Sequence, residues 1–341
     1  MDARGGLCLG IGMSAPLPRF LVASAMRNEG AFLLEWVAWY RMLGFDLLIA
    51  TNDCTDHSAE MLDILQDAGW LTHLRHQPDA DTPPQRAALD VLGRHAALLT
   101  ADWVLCCDVD EFLVLHKTDT ILEFVGTGPW DFLGLAFHWK IFGIGGWQKY
   151  RPGLVHEQFR RAGVSRLPQN RRFKSMFRRP DMFARLGVHA PMDFRGDWTA
   201  HENAWLNSDG AALPQFRDPA NHPVQRSEAH QIAHDNAQMN HYVLRSQEHW
   251  NAKKGTPAAI DLGDRYTDRF YARHNRNGTK DTSASRLTPV FQPIYEAALD
   301  LPGMRRLHHL SCAQYIERLC LHAGGDARTD PRWIDAMAAA G

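Results

Sequence analysis

The sequence lacks what would anchor it in a bilayer, staple it with disulfides or draw it to a polyanion. No apolar run approaches the roughly 18 residues that a membrane span needs. The stretch from Met1 to Pro18 has no charged segment leading into a full apolar core, so a secretory signal is not expected. A formal net charge of −2 gives no global field for nucleic acid or an anionic membrane. Cysteine is sparse: Cys8, Cys54, Cys106, Cys107, Cys312 and Cys320 form no C-x-x-C pair and fall far below a disulfide scaffold. Adjacent Cys106 and Cys107 on a strand would point to opposite faces. The expected compartment is a reducing cytoplasm. Internal repeats and low-complexity tracts are also missing.

What is present is an ordinary globular composition, 45% hydrophobic and 22% charged, with 18 histidines and 11 tryptophans that suit polar, aromatic-lined clefts. At 341 residues the chain can hold one large domain with additions, or two. Its first half alternates strand and helix signals. Phe20 to Met26 reads as a buried strand, followed by a helix with Leu33, Trp36, Val37, Tyr40 and Leu43 on one face and Gly44 at its end. Leu47 to Ala50 is a second strand, then comes the polar turn from Thr51 to Asp56 and a helix from about Ser58 that closes at Gly69. Leu71 to Leu74 is the third strand, and Pro83-Pro84 opens a helix bearing Ala88, Val91, Leu92, His95 and Leu99. This βαβαβαβ order predicts a mostly parallel, doubly wound α/β sheet with right-handed crossovers.

The fourth strand carries the strongest chemical signal. An apolar run, Val104-Leu105-Cys106-Cys107, ends in Asp108-Val109-Asp110-Glu111. Carboxylates at the carboxyl end of such a strand sit where open α/β sheets bind ligands. Two acids this close repel, and a divalent cation held through oxygen would relieve the repulsion while gripping phosphates. Arg27-Asn28-Glu29 and Asn52-Asp53 stand at two other strand tips of the same edge. Surface acids in a turn are the plain alternative. A phosphatase of the haloacid dehalogenase type would use Asp108 as a nucleophile. Such enzymes place the motif on the first strand and follow it with a small hydroxyl residue, not Glu111-Phe112. A nucleotidyltransferase would need a Gly-rich, basic phosphate loop, which Ala25 to Gly30 does not provide.

After about residue 130 the alternation breaks down. Asp131 to Phe142 reads as strand, a loop follows at Gly143-Ile144-Gly145-Gly146, and Arg160, Arg161, Arg166, Arg171, Arg172, Lys174, Arg178 and Arg179 form a basic segment. For most of these arginines a solvated face is the simpler reading. Residues 205–236 read as loop-rich, helical patterning returns from Thr288 to about His322, and the remainder reads as a short tail.

Several ordered motifs carry a resemblance: Met26-Arg27-Asn28-Glu29, Glu35-Trp36, Gly44-Phe45-Asp46, Asn52 to Asp56, Asp108 to Phe112, Trp139-x-x-Phe142-Gly143, Lys174-Ser175 and His241-Tyr242. Together they resemble the family-2-like glycosyltransferases, and more closely the bacterial subgroup related to glycosyltransferase family 92. The resemblance spans roughly residues 20–255. It implies a GT-A fold, a Rossmann-like sheet flanked by helices, with a helical C-terminal extension. Its divisions would be an N-terminal tail 1–18, a nucleotide-sugar-binding half 19–130, an acceptor-binding half 131–260 and the extension 261–341. It implies a metal-dependent, inverting, hexosyltransferase-like enzyme of bacterial polysaccharide synthesis, cytoplasmic and free to associate peripherally with membrane. A UDP-sugar is the favoured donor and a glycan the acceptor, with no nucleic-acid partner.

By the same resemblance, Asp108 and Asp110 would hold Mn²⁺ or Mg²⁺ on the donor diphosphate. His241, or alternatively His189, would add a ligand. Arg27, Asn28, Glu29, Asn52, Asp53, Lys174, Arg245 and Lys253 would bind the donor. Cys54-Thr55 departs from the Gly-Ser common at that turn, which affects base and ribose contacts. An inverting reaction also needs a carboxylate to take the acceptor proton. Glu157 and Asp193 are the candidates, with Asp197 and Glu202 behind them. Trp139 and Trp147 offer aromatic faces to acceptor sugars, with core packing the plain reading of Trp139. A degenerate sugar-binding protein is the non-enzymatic alternative, and the intact acid pair counts against it.

Overall fold

The computed structural model describes residues 16–341, so Cys8 and most of the expected N-terminal tail lie outside the described residues. The first half runs β1 (Phe20–Met26), α1 (Leu33–Met42), β2 (Asp46–Thr51), α2 (Ser58–Asp67), β3 (Thr72–Arg75), α3 (Pro84–Gly93), α4 (Ala96–Leu99), β4 (Trp103–Cys106) and β5 (Glu111–Leu115). Next come α5 (Ile121–Val125), β6 (Gly134–Ile141), α6 (Val155–Gln158), β7 (Arg161–Ala162), β8 (Phe173–Arg178), β9 (Phe183–Arg185), β10 (Met192–Phe194), β11 (Trp205–Asn207) and β12 (Ala237–His241). The chain closes with α7 (Gln247–Lys253), α8 (Asp268–His274), β13 (Thr279–Lys280), α9 (Thr288–Leu299), α10 (Met304–His322) and α11 (Pro331–Ala340).

One sheet orders its strands β3-β2-β1-β4-β8-β6-β12-β5, with β11 also against β6. Its left part is parallel, and β8 runs antiparallel between β4 and β6. Strand β12 is parallel to β6 and antiparallel to β5. This is the mostly parallel α/β sheet flanked by helices that the sequence led one to expect. The sheet crosses residue 130 twice, because β8 pairs with β4 and β12 with β5.

The strands are apolar without alternation because both faces are covered. In β1, Phe20 and Val22 enter one core with α1, α2 and the C-terminal helices, while Leu21 and Ala23 enter the other with α3, Phe173 and Trp205. Helix α1 differs from its expected single apolar face. All of it except Arg41 is buried, since α9 closes over the side that would otherwise meet water. Residues 205–236 are loop-rich as expected, with only β11 and short 3-10 turns. The stretch after His322 is not a tail. Asp330 caps α11 by accepting from the Arg332 amide at 2.9 Å, Pro331 starts the first turn, and the helix packs on α10. An N-cap acid followed by proline and alanines is a helix-start signal that the tail reading overlooked.

A buried latch fixes α1 to the elements that follow β6. Glu35 accepts from the amides of Val155 at 2.7 Å and His156 at 3.1 Å, and from His156 Nδ1 at 2.7 Å. His156 Nε2 meets Thr288 Oγ1 at 3.2 Å, at the start of α9. Replacing one partner strands the others in a dry core. Glu35→Ala should therefore lower unfolding free energy by about 3–5 kcal/mol in urea titrations.

Burial also lowers the pKa of several histidines, His138 and His274 to about 3 and His234 and His308 to about 4, from 6.5. A depressed pKa contributes stability above pH 6.5 that is lost as pH falls toward the folded-state values. The melting temperature should thus decline from pH 6.5 downward. His138→Phe should remove about one proton from the slope of stability against pH.

Candidate functional site

The strand tips gather the sequence-predicted residues at one sheet edge, but divide them between two centres. The first is a buried ammonium. In β8, Phe137 of β6 pairs with Lys174 and Leu105 of β4 with Met176, so Lys174 stands beside the tip of β4. Its Nζ lies 2.8 Å from Asp108 Oδ2 and 2.9 Å from Glu111 Oε2. Burial would drive the proton off, yet Asp108 and Glu111 hold the ammonium well above its ordinary pKa. Asp108 Oδ1 accepts from Gln85 Nε2 at 2.8 Å, so both its oxygens are engaged. Glu111 also accepts from the Asp108 amide at 2.9 Å and from Trp139 Nε1 at 2.8 Å.

Aromatic residues of α1 set the loop's position. Trp36 Nε1 donates to the Asp108 carbonyl at 3.0 Å and Trp39 Nε1 to the Leu113 carbonyl at 2.8 Å. Tyr40 donates to the Glu111 carbonyl at 3.1 Å. The helix thus satisfies backbone groups of the turn that carries the acids.

The second centre begins where Asp110 turns away from Lys174. Its Oδ1 lies 3.7 Å from His241 Nε2, and His241 pairs with Glu111 in the β12–β5 register. Burial would raise the Asp110 pKa, but His241, Lys253 and Arg245 hold the carboxyl well below its ordinary range. The ring of His241 packs 4.2 Å from that of Trp139, centroid to centroid, and its Nδ1 is buried without a hydrogen-bond partner. Arg245 follows, 5% exposed, with its guanidinium 3.6 Å above Phe32 and 3.7 Å from Glu29 Oε2. Its Nε is likewise buried and unpartnered. Burial pushes the Glu29 carboxyl up to about 6, against the opposing charge of Arg245. Lys253, on α7, makes no ion pair among the described residues and lies 4.8 Å over the Tyr266 ring.

The remaining predicted residues shape this edge or stand apart. Asn28 Oδ1 accepts from the Thr55 amide at 2.7 Å, locking the tip of β1 to the turn after β2. Asn52 and Gln77 donate to Asp53 and lower its pKa. Arg27 is exposed. Asn28, Asp53 and Arg245 all adopt left-handed backbone, at φ 59°, 45° and 49°. Strain of this kind gathers at ligand sites, and an arginine tolerates it less well than Asn or Asp. His189 is committed elsewhere: Nδ1 donates to the Phe173 carbonyl at 2.9 Å and Nε2 accepts from Arg172 at 3.1 Å. Asp193 pairs with exposed Arg185 on the β9–β10 hairpin at 2.7 Å. Glu157, on α6, neither hydrogen-bonds nor ion-pairs through its side chain among the described residues. Trp139 is 3% exposed and serves as a buried spacer between the two centres.

Sequence reasoning missed the groups that arrive from far along the chain. His249 of α7 hydrogen-bonds Tyr315 of α10, and Arg318 donates to the Asn28 carbonyl at 3.4 Å. Gln85 was also missed, although its place in the first turn of the helix leading into β4 was visible. All described cysteines are free thiols, and Cys106 and Cys107 are buried.

The residues accommodate a divalent cation in part. Among the described residues no three His, Cys, Asp or Glu side chains form a ready-made metal cage. Asp110 and His241 offer one oxygen and one nitrogen, a pair that suits an ion completed by phosphate oxygens and water. Asp108 shares the Lys174 ammonium with Glu111.

No protein-family model matches this chain. No curated protein matches it either. Among solved structures it is similar to S. aureus TarS 1–349 at 12% identity, over 94% of this chain and 89% of that one, with a TM-score of 0.33. The same TarS fragment in complex with UDP-GlcNAc covers equal shares at 12% identity and a TM-score of 0.34. The apo bifunctional glycosyltransferase WbbM is similar at 11% identity over 81% of this chain and 51% of its own, TM-score 0.30. Likenesses this distant leave the chemistry to be argued from the residues of the site. Among the described residues no helix is long and apolar enough to cross a membrane.

The division into two centres has a measurable consequence. Lys174→Met should leave Asp108 and Glu111 without their cation and cost about 3–5 kcal/mol in chemical unfolding. Asp110→Asn, which removes the charge facing His241, Arg245 and Lys253, should also destabilise the fold at neutral pH, and the loss should shrink as pH falls and the parent carboxylate takes up its proton.

Proposed function

We propose that this chain is a glycosyltransferase that binds a nucleotide-sugar across the strand tips. The observation that carries the reading is the pair of buried, unpartnered nitrogens, His241 Nδ1 and Arg245 Nε, beside Asp110. Buried donors are almost always satisfied, so an unsatisfied pair at a sheet edge calls for a ligand. Arg245 and Lys253 bring positive charge, which suits a diphosphate. The turns at Asn28 and Asp53 border the same edge and suit the nucleoside.

In this reading Arg245 and Lys253 neutralise the phosphates and orient them from a water-poor pocket, where charge acts over a low dielectric. Lys174 touches no phosphate. It fixes Asp108 and Glu111, and through the β5–β12 pairing it sets the position of His241. A divalent ion, held by Asp110 and His241, would supply charge to the departing diphosphate. Single displacement with inversion, a UDP donor and a glycan acceptor follow from the resemblance to family-2-like enzymes. Glu157 and Asp193 make no polar contact with the strand-tip groups, so the proposal gives them no step.

Thermal shift with UDP, with and without MnCl₂, tests the reading. UDP with Mn²⁺ should raise the melting temperature by an amount equivalent to about 2.7 kcal/mol at a hundredfold excess over Kd, and UDP alone should raise it less. Asp110→Asn should abolish the Mn²⁺ increment, and Arg245→Gln should weaken UDP binding under both conditions. Absence of any UDP shift, with or without metal, would overturn the proposal.

A further inference from the structure

We infer that the groove between the loop after β6 and helix α11 is a carbohydrate-binding site, and that it seats the acceptor of the proposed transfer. The second part rests on the glycosyltransferase reading; the first does not. The groove encloses about 1140 Å³. That lies above the roughly 300–1,000 Å³ usual for small-molecule pockets and leaves room for more than one sugar ring.

Its lining has the chemistry of sugar recognition. Trp147 stands in one wall, and its indole is pinned because Nε1 donates to the Gln158 carbonyl at 3.1 Å. The Arg151 guanidinium lies 5.0 Å from the centroid of that ring, so indole and cation form one wall, against which the apolar C–H face of a pyranose can pack. Gly146, at φ 90°, leaves open space where a side chain would stand, and Ala339 of α11 keeps the opposite wall low. The rim is polar and of both signs. Gln148 and Arg151 offer planar donors, Asp335 offers a carboxylate, and neither Arg151 nor Asp335 is ion-paired among the described residues. Lys149 and Arg151 against Asp335 leave this rim weakly positive, and its charged and amide groups can bond hydroxyls above a mainly apolar lining.

The loop that lines the groove is bonded to the helix that follows the strand-tip site. The amides of Gln247 and Glu248 donate to the carbonyls of Trp147 and Gln148, each at 2.9 Å. Glu248 then grips Arg332, at the start of α11, at 2.7 and 3.0 Å. Helix α7 therefore links the two, with Arg245 just before its first turn and the groove loop bonded to its start.

Saturation-transfer NMR on the full chain with maltotriose, cellotriose and chitotriose tests the inference. At least one trisaccharide should bind, and Trp147→Ala should weaken it about tenfold or more, the value of a lost aromatic stack. Ala339→Trp, which narrows the groove with Trp147 in place, should weaken it equally. Binding by none of the three sugars, or equal binding by parent and both variants, would overturn the site. UDP thermal shift is read on the same samples. A UDP response without sugar binding sinks the groove and spares the nucleotide reading. Sugar binding without a UDP response upholds the groove as a carbohydrate site and sinks its assignment as an acceptor site.

Discussion

The strand-tip edge depends on one buried ammonium. Lys174 is reached by no solvent and sits between Asp108 and Glu111, the acids that end β4 and begin β5. Glu111 is fully buried and Asp108 is a third exposed, and two carboxylates this close need a cation, because desolvation of Glu111 and their mutual repulsion oppose the pair. The antiparallel insertion of β8 between β4 and β6 delivers that cation from the far side of the sheet. With it in place the turn between β4 and β5 closes, β5 lies down on β12, and His241 comes to rest opposite Glu111.

This arrangement divides what the sequence presents as one motif. Asp108 and Asp110 are two residues apart, and a single cation shared between them is the natural first reading. The backbone turn sends them to different partners. Asp108 is hydrogen-bonded by Lys174 and Gln85, whereas Asp110 faces His241, Arg245 and Lys253. Around Asp110 and Glu29 the cations outnumber the acids, with Arg318 adding to the imbalance. An excess of fixed positive charge with unsatisfied nitrogens is the environment an anion would suit. The left-handed Arg245 backbone is the strain accepted to aim that side chain.

Much of this was legible in the sequence, and the boundary follows from chain distance. The β1–β4 half could be read from periodicity and glycine caps because each unit is local: Gly44 and Gly69 end α1 and α2 with φ of 89° and 74°. The strand-tip clusters at Arg27–Glu29, Asn52–Asp53 and Asp108–Asp110 were visible because a parallel sheet puts every such tip on one edge. Lys174 was visible as a charge but not as a buried one, since it stood among arginines that are half-buried or exposed. Its role comes from an antiparallel neighbour that no local pattern announces. Helix α1 misled in the other direction. Its aromatic residues read as one face, but Glu35 and Trp39 are buried on the others by α6 and α9, more than a hundred residues on.

Those late helices belong to the site as much as to the scaffold. Arg245 rests on Phe32, and Phe32 is held edge-on by Tyr315 at 5.0 Å and Tyr150 at 5.8 Å. Tyr315 comes from α10 and also bonds His249 of α7. Tyr150 is tied by its amide to Glu248 and by its carbonyl to Arg332 at the start of α11. The guanidinium proposed to meet the diphosphate therefore stands on a ring supported from the first, middle and last thirds of the chain. Aromatic contacts of this kind are worth about 0.5–1.5 kcal/mol each beyond their buried area, so the support is shared and no single contact sets it. The strand tips supply the charges, and the C-terminal helices hold the most strained of them in position.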